Sequence, residues 1–206
     1  MDIIFLHGLG QNPSSWNETL SFLPQCIKAH CPDLLNLCED KTYEKIYLAF
    51  ENYVDDFLNP INLCGISLGA VLALNYTLNH ADKVSSLVLI APQYKMPKLL
   101  LRFQNIVFHI MPDSLISKDG IAKQDIIQLT NSMRFLDFEQ ELKSVACSTL
   151  IICGQKDTAN IKAAKKMANL ISNSKLYLID KSGHEINVFA SKKLANAMSL
   201  FYKTNN

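Results

Sequence analysis

Several absences narrow this 206-residue sequence before any motif is considered. It has almost no charge imbalance: 20 Lys and Arg against 19 Asp and Glu leave a formal +1. No basic run interleaved with aromatics occurs either, so nothing points to nucleic acid or to an anionic membrane as partner. No apolar stretch approaches the ~20 residues a helix needs to cross a bilayer. The opening MDIIFLHGLG lacks the positive n-region and long h-region of a secretory signal, since its apolar run covers only Ile3 to Leu6. The six cysteines form no CxxC pair, and Cys64 and Cys153 fall inside apolar, strand-like runs where a thiol is a small hydrophobe. A soluble, reduced, cytoplasmic protein without disulfides is expected. Cys26, His30, Cys31 and Cys38 match no usual zinc spacing. There is no internal repeat and no low-complexity segment.

What is present is an alternation. DIIFL (2–6), LLNLC (34–38), INLC (61–64), VSSLVLI (84–90), TLIIC (149–153) and KLYLI (175–179) are predicted strands. Most are continuously apolar, as strands covered on both faces should be. Between them lie helical patterns at roughly 42–58, 67–80, 159–172 and 185–202. In the first, Tyr43, Ile46, Tyr47, Phe50, Tyr53, Val54, Phe57 and Leu58 recur near a 3.6 period before Asn59-Pro60 stops the helix. Such alternation predicts one α/β domain over 1–206, a mostly parallel sheet of about six strands with helices on both faces. From Gln93 to Cys147 no strand is evident, which is far more chain than a crossover needs, so 93–147 is expected to be an inserted helical cap.

The chemistry is concentrated at Gly65-Ile66-Ser67-Leu68-Gly69, where strand 61–64 gives way to helix 67–80. In that setting G-x-S-x-G is a nucleophile elbow. The turn is tight enough that a Cβ two residues before or after the serine would meet strand or helix backbone, so glycine is needed there. A serine hydroxyl requires a base. His184, in the loop DKSGHEIN with Gly183 allowing the turn, is the candidate; His30 and His80 near helix ends are expected to be solvated, and His109, in the insert, to be a packing or surface residue. Asp157, in the loop after strand 149–153, is the expected orienting carboxylate. Asp180 is its rival, and Glu185 is expected to be turned away by the following helix. The order Ser67, Asp157, His184 is that of hydrolases with this elbow. Oxyanion donors are expected from the Leu68 N–H and the Leu9 N–H. Gly8 and Gly10 bend the loop that carries Leu9, and His7 is expected to hold it. Trp16 is expected to pack at the start of the next helix.

HGLG after the first strand, GISLGA at the elbow, GQKD after a late strand and SGHE near the end together resemble the α/β-hydrolase superfamily over nearly the whole chain. The first two motifs look like those of small carboxylesterases, such as the pimeloyl-carrier methyl ester esterases. They are also similar to those of C–C bond hydrolases and of the menaquinone-pathway lyase. The resemblance implies ester or thioester cleavage through an acyl-enzyme, with no metal or organic cofactor, on a small or acyl-chain substrate, including one linked to an acyl carrier. C–C cleavage and non-catalytic ligand binding are the alternatives. Two departures stand out. The sheet is expected to begin directly with the HG-loop strand, without the two strands that usually lead it, and CEDKTYEKIY lacks the DxxGxGxS loop of many relatives. In the insert, Lys95, Lys98 and Arg102 form an acid-free basic cluster. Leu99, Leu100, Leu101, Phe103, Ile106, Val107 and Phe108 make an apolar set wide enough to line an acyl pocket as well as to pack on the domain.

Overall fold

The structure is a computed structural model that describes residues 1–58, 60–96 and 122–204. Six strands form one sheet: β1 (Asp2–Leu6), β2 (Lys28–His30), β3 (Ile61–Ile66), β4 (Val84–Ile90), β5 (Ser148–Gly154) and β6 (Ser174–Ile179). They lie in the order β2-β1-β3-β4-β5-β6, and every neighbouring pair is parallel. The helices of the described residues are α1 (Asn17–Ser21), α2 (Tyr43–Asp55), α3 (Leu68–Asn79), α4 (Lys123–Met133), α5 (Ile161–Leu170), α6 (Ile186–Phe189) and α7 (Ser191–Thr204).

Side chains alternate across a strand, so each continuous apolar run feeds two layers. Ile4, Leu6, Leu63, Leu87, Leu89 and Ile151 pack with Ile46 and Phe50 of α2, with α3, and with Met167 of α5. Ile3, Phe5, Cys64, Val88, Ile90 and Ile152 face Trp16 and the Leu194, Met198 and Phe201 stripe of α7. Trp16 is fully buried, its ring 5.2 Å from that of Phe5.

The predicted strand at 34–38 is not one. Leu34 and Leu35 are buried, but the chain there runs through turns, and the Leu34 N–H donates to His7 Nε2 at 3.0 Å. The strand in that part of the chain is β2, three largely exposed residues pairing Asp2 with Lys28. A short edge strand has one ladder partner and little to bury, so it carries no apolar alternation. The helix predicted over 185–202 is two, broken at Ala190.

Between β4 and β5 the chain leaves and rejoins the sheet through an antiparallel bridge. Lys95 pairs with Asp137, the Met96 N–H donates to Leu136 O at 3.0 Å, and the Phe138 N–H donates to Tyr94 O at 2.8 Å. Helix α4 packs Leu129 and Met133 into the core beside α2, and Ser132 Oγ accepts from the Tyr43 N–H at 2.8 Å. Lys98, Arg102, His109 and the apolar set from Leu99 to Phe108 lie outside the described residues. No helix among the described residues is long and apolar enough to cross a membrane.

Candidate active site

β3 ends at Ile66 and α3 begins at Leu68, so the whole reversal falls on Ser67, at φ 54° and ψ −114°. A non-glycine residue there carries strain of order 1–3 kcal/mol and persists only when its surroundings fix it. The fixing is visible: the Ser67 N–H donates to Ile90 O at 3.0 Å and Ser67 O accepts from the Val71 N–H at 3.1 Å. The glycine reading holds quantitatively. A Cβ on Gly65 would lie 2.2 Å from Gly69 O, and one on Gly69 would lie 2.1 Å from Leu6 O. The first-turn amides of α3, that of Leu68 included, have no partner within the helix and form its positive end.

Asp157 follows β5 and is 6% exposed. His184 Nδ1 lies 2.8 Å from its Oδ2. Asn160 adds its Nδ2 at 2.9 Å from both carboxylate oxygens and its backbone N–H at 3.2 Å from Oδ1. Burial alone would raise this carboxyl; the hydrogen bonds from His184 and Asn160, with the charge on His184, outweigh it and hold its pKa below the ordinary range. An Nδ1–H given to Asp157 leaves His184 Nε2 as the acceptor. Asn160 is itself set by Gln93, whose Nε2 donates to Asn160 Oδ1 at 2.8 Å.

The loop that delivers His184 is shaped differently from the prediction. Its left-handed residue is Lys181, at φ 57°, and not Gly183, at which a Cβ would meet nothing within 4 Å. The glycine that matters is Gly154 at the end of β5, where a Cβ would sit 2.2 Å from Gly183 O. Strand end and histidine loop therefore touch backbone to backbone, which brings Asp157 and His184 together.

Ser67 and His184 line one cavity of about 240 Å³ with Gly8, Leu9, Gln11, Ile66 and Glu185. Leu9 thus borders the space in front of Ser67, while Leu68 is buried at the head of α3. The loop that carries Leu9 turns through Gly10, at φ 77°. His7 braces that loop from behind. It is fully buried, its Nδ1 lies 2.9 Å from Gly8 O, and its Nε2 accepts from the Leu34 N–H. Burial lowers its pKa, against the raising effects of Gly8 O and Asp33.

Asn160 and Gln93 were not evident from the sequence, and neither were Gln11 and Asn187. Gln11 Oε1 accepts from the Gly8 N–H at 3.2 Å and from Asn187 Nδ2 at 3.1 Å; Gln11 Nε2 donates to Asn187 Oδ1 at 3.2 Å and to Glu185 Oε1 at 3.3 Å. Glu185 is therefore not turned away: it borders the cavity. Polar amides in loops and short helices are ordinary, so no sequence signal marked these four.

The rival candidates are engaged elsewhere. Asp180 lies at the surface, 2.5 Å from Lys193. His30 and His80 are partly buried, each 2.7 Å from a carboxylate, Asp2 and Glu51. Among the described residues no cluster of His, Cys, Asp and Glu is arranged to hold a metal, and Cys26, Cys31 and Cys38 are free thiols.

A pimeloyl-[acyl-carrier protein] methyl ester esterase of Vibrio atlanticus (strain LGP32) is 22% identical over 227 residues, 89% of this chain and 87% of that protein. Monoacylglycerol lipase ABHD6 of Bos taurus is 20% identical over 247 residues, 95% of this chain and 73% of that protein. Among solved structures, MenH from S. aureus matches at a TM-score of 0.84 and 21% identity, over 100% of this chain and 94% of that one. A thermophilic esterase from Thermogutta terrifontis matches at 0.80 and 17%, over 100% and 90%. At these identities the structural likeness is one of fold. The sequence model of the alpha/beta hydrolase family matches residues 3–197, nearly the whole chain, and the protein belongs to that family of enzymes.

Proposed function

We propose that this protein is a serine hydrolase that cleaves a carboxylic ester or thioester of a small or acyl-chain substrate, with Ser67 as nucleophile, His184 as general base and Asp157 as the orienting carboxylate. The observation that carries this is the 2.8 Å contact of His184 with the nearly buried Asp157, on a histidine that shares a cavity with the strained Ser67.

His184 Nε2 takes the hydroxyl proton as Ser67 Oγ attacks the carbonyl carbon. The carbonyl oxygen becomes an anion, held by the Leu9 and Leu68 N–H groups. The imidazolium, balanced by Asp157, returns the proton to the leaving alcohol or thiol as the carbon–oxygen or carbon–sulfur bond breaks. Water then enters, gives its proton to His184 and attacks the acyl-enzyme; the acid leaves as Ser67 regains its hydrogen. Residues 93–147 are read as an inserted cap, whose described ends meet at the antiparallel bridge of Lys95 and Asp137. The carrier-linked substrate in the names of several relatives makes an acyl-carrier ester a reasonable candidate here.

A fluorophosphonate probe should label the wild type at Ser67 and fail to label Ser67→Ala. A panel of chromogenic esters of increasing acyl length should then be turned over by the wild type only. Labelling that survives in Ser67→Ala would remove the assignment.

A further inference from the structure

We infer that Glu185 is a charge filter at the mouth of the site, one that makes the protein an esterase for neutral or cationic substrates and disfavours those with a carboxylate near the scissile carbonyl. The inference rests on the proposed role of Ser67 and His184, and extends it to substrate class.

The ionisable residues that line the cavity, among the described ones, are His184 and Glu185. His184 is occupied by Asp157 at one nitrogen. That leaves Glu185 as the fixed charge facing a substrate, and among the described residues no cation pairs with it. Lys95, the described member of the basic cluster expected from the sequence, is spent on Asp137 at 2.6 Å and Glu139 at 3.7 Å.

An exposed glutamate usually samples many rotamers, and its field is then smeared out. This one is restrained. Its Oε1 accepts from Gln11 Nε2 at 3.3 Å, and Gln11 is 9% exposed with both amide atoms engaged, on the Gly8 N–H and on Asn187. Asn187 is wholly buried, and its Nδ2 also donates to Ser15 O at 3.3 Å. A buried polar group with all its bonds made is rigid, and loosening it would leave unsatisfied amides. The backbone is restrained as well, since Glu185 O accepts from the Val188 and Phe189 N–H groups at 3.2 and 2.9 Å. A negative charge so held, next to Gly8 and Leu9, repels a second anion at the same place and attracts a cation.

The test uses three methyl esters of similar size: monomethyl succinate, methyl pentanoate and methyl gamma-aminobutyrate, which are anionic, neutral and cationic at neutral pH. Wild type should give the lowest kcat/KM on the anion and the highest on the cation. The anion-to-cation ratio should rise from wild type to Glu185→Gln and again to Glu185→Lys, by about two- to fivefold per step, the ordinary weight of one partly screened charge. Raising the ionic strength should narrow the wild-type spread, a reading that needs no variant. A ratio unchanged along the charge series, or indifferent to salt, in protein whose Ser67 takes the fluorophosphonate would overturn the filter and leave the hydrolase assignment standing. Failure of Ser67 to label would remove both.

Discussion

Gln11 and Asn187 meet as a reciprocal pair of amides: Gln11 Nε2 donates to Asn187 Oδ1 at 3.2 Å, and Asn187 Nδ2 returns a bond to Gln11 Oε1 at 3.1 Å. They are 176 residues apart in the chain. One lies in the loop after β1 and the other in α6, just beyond His184. The pair therefore ties the loop that carries Leu9 to the loop that carries the proposed base, and its Gln11 borders the cavity.

That pair gives a prediction about stability. Gln11→Leu or Asn187→Leu alone strands its partner as a buried, unsatisfied amide, at a cost of about 1–3 kcal/mol. The double variant removes both amides together and should cost no more than the worse single. Urea unfolding of the four proteins measures this. Additive losses would mean that the two amides do not act as a unit.

Asp157 and Asp180 should separate in turnover. Asp157→Asn should lower kcat by about four orders of magnitude, because an amide at that position disturbs the tautomer of His184 and cannot balance an imidazolium. Asp180→Asn, which loses only a surface ion pair with Lys193, should stay within a few-fold. Steady-state kinetics on any turned-over ester decides it, and the reverse pattern would move the acid to Asp180.

The glycines divide by what surrounds them. Gly65→Ala and Gly69→Ala would each drive a methyl to within 2.2 and 2.1 Å of a backbone oxygen and should destabilise by about 3 kcal/mol, if the protein folds at all. Gly183→Ala meets open space and should change stability by less than about 0.5 kcal/mol. Denaturant midpoints distinguish the two classes.

His7 should make the fold acid-sensitive. Its pKa is depressed in the folded protein, chiefly by burial, from the ordinary imidazole value of 6.5. As pH falls through that ordinary value, the unfolded chain takes up a proton that the folded chain refuses. The His7 contribution is thus fully present above the ordinary value and is lost as pH falls toward the folded one, at up to about 1.4 kcal/mol per pH unit. Protonation would also put a hydrogen on Nε2, where the Leu34 N–H already donates. Urea unfolding of wild type and His7→Asn from pH 7.5 down should show a steeper decline for wild type; parallel curves would assign the acid sensitivity to other groups.

The sequence by itself determined the frame. Continuous apolar runs mark the strands covered on both faces, β1, β3, β4 and β5; β6 was legible as well although its alternate side chains are exposed, whereas the apolar run at 34–38 is not a strand. The elbow was equally legible, because Gly65 and Gly69 are required by backbone contacts as close as 2.2 and 2.1 Å, which no other residue type tolerates. Local demands of this kind must be written in residue type. The tertiary structure alone decided matters that depend on distant partners. β2 is an edge strand with nothing to bury, so pairing with Asp2 defines it and periodicity does not. Leu34 and Leu35 are apolar because the core needs them, and the turn they occupy is set by His7 across the chain. Lys181 and Gly154, not Gly183, shape the histidine loop, because the close approach is between β5 and that loop. Glu185 reaches the cavity through Gln11, a partner 174 residues away whose amide looks like any other loop residue until the fold brings them within a hydrogen bond.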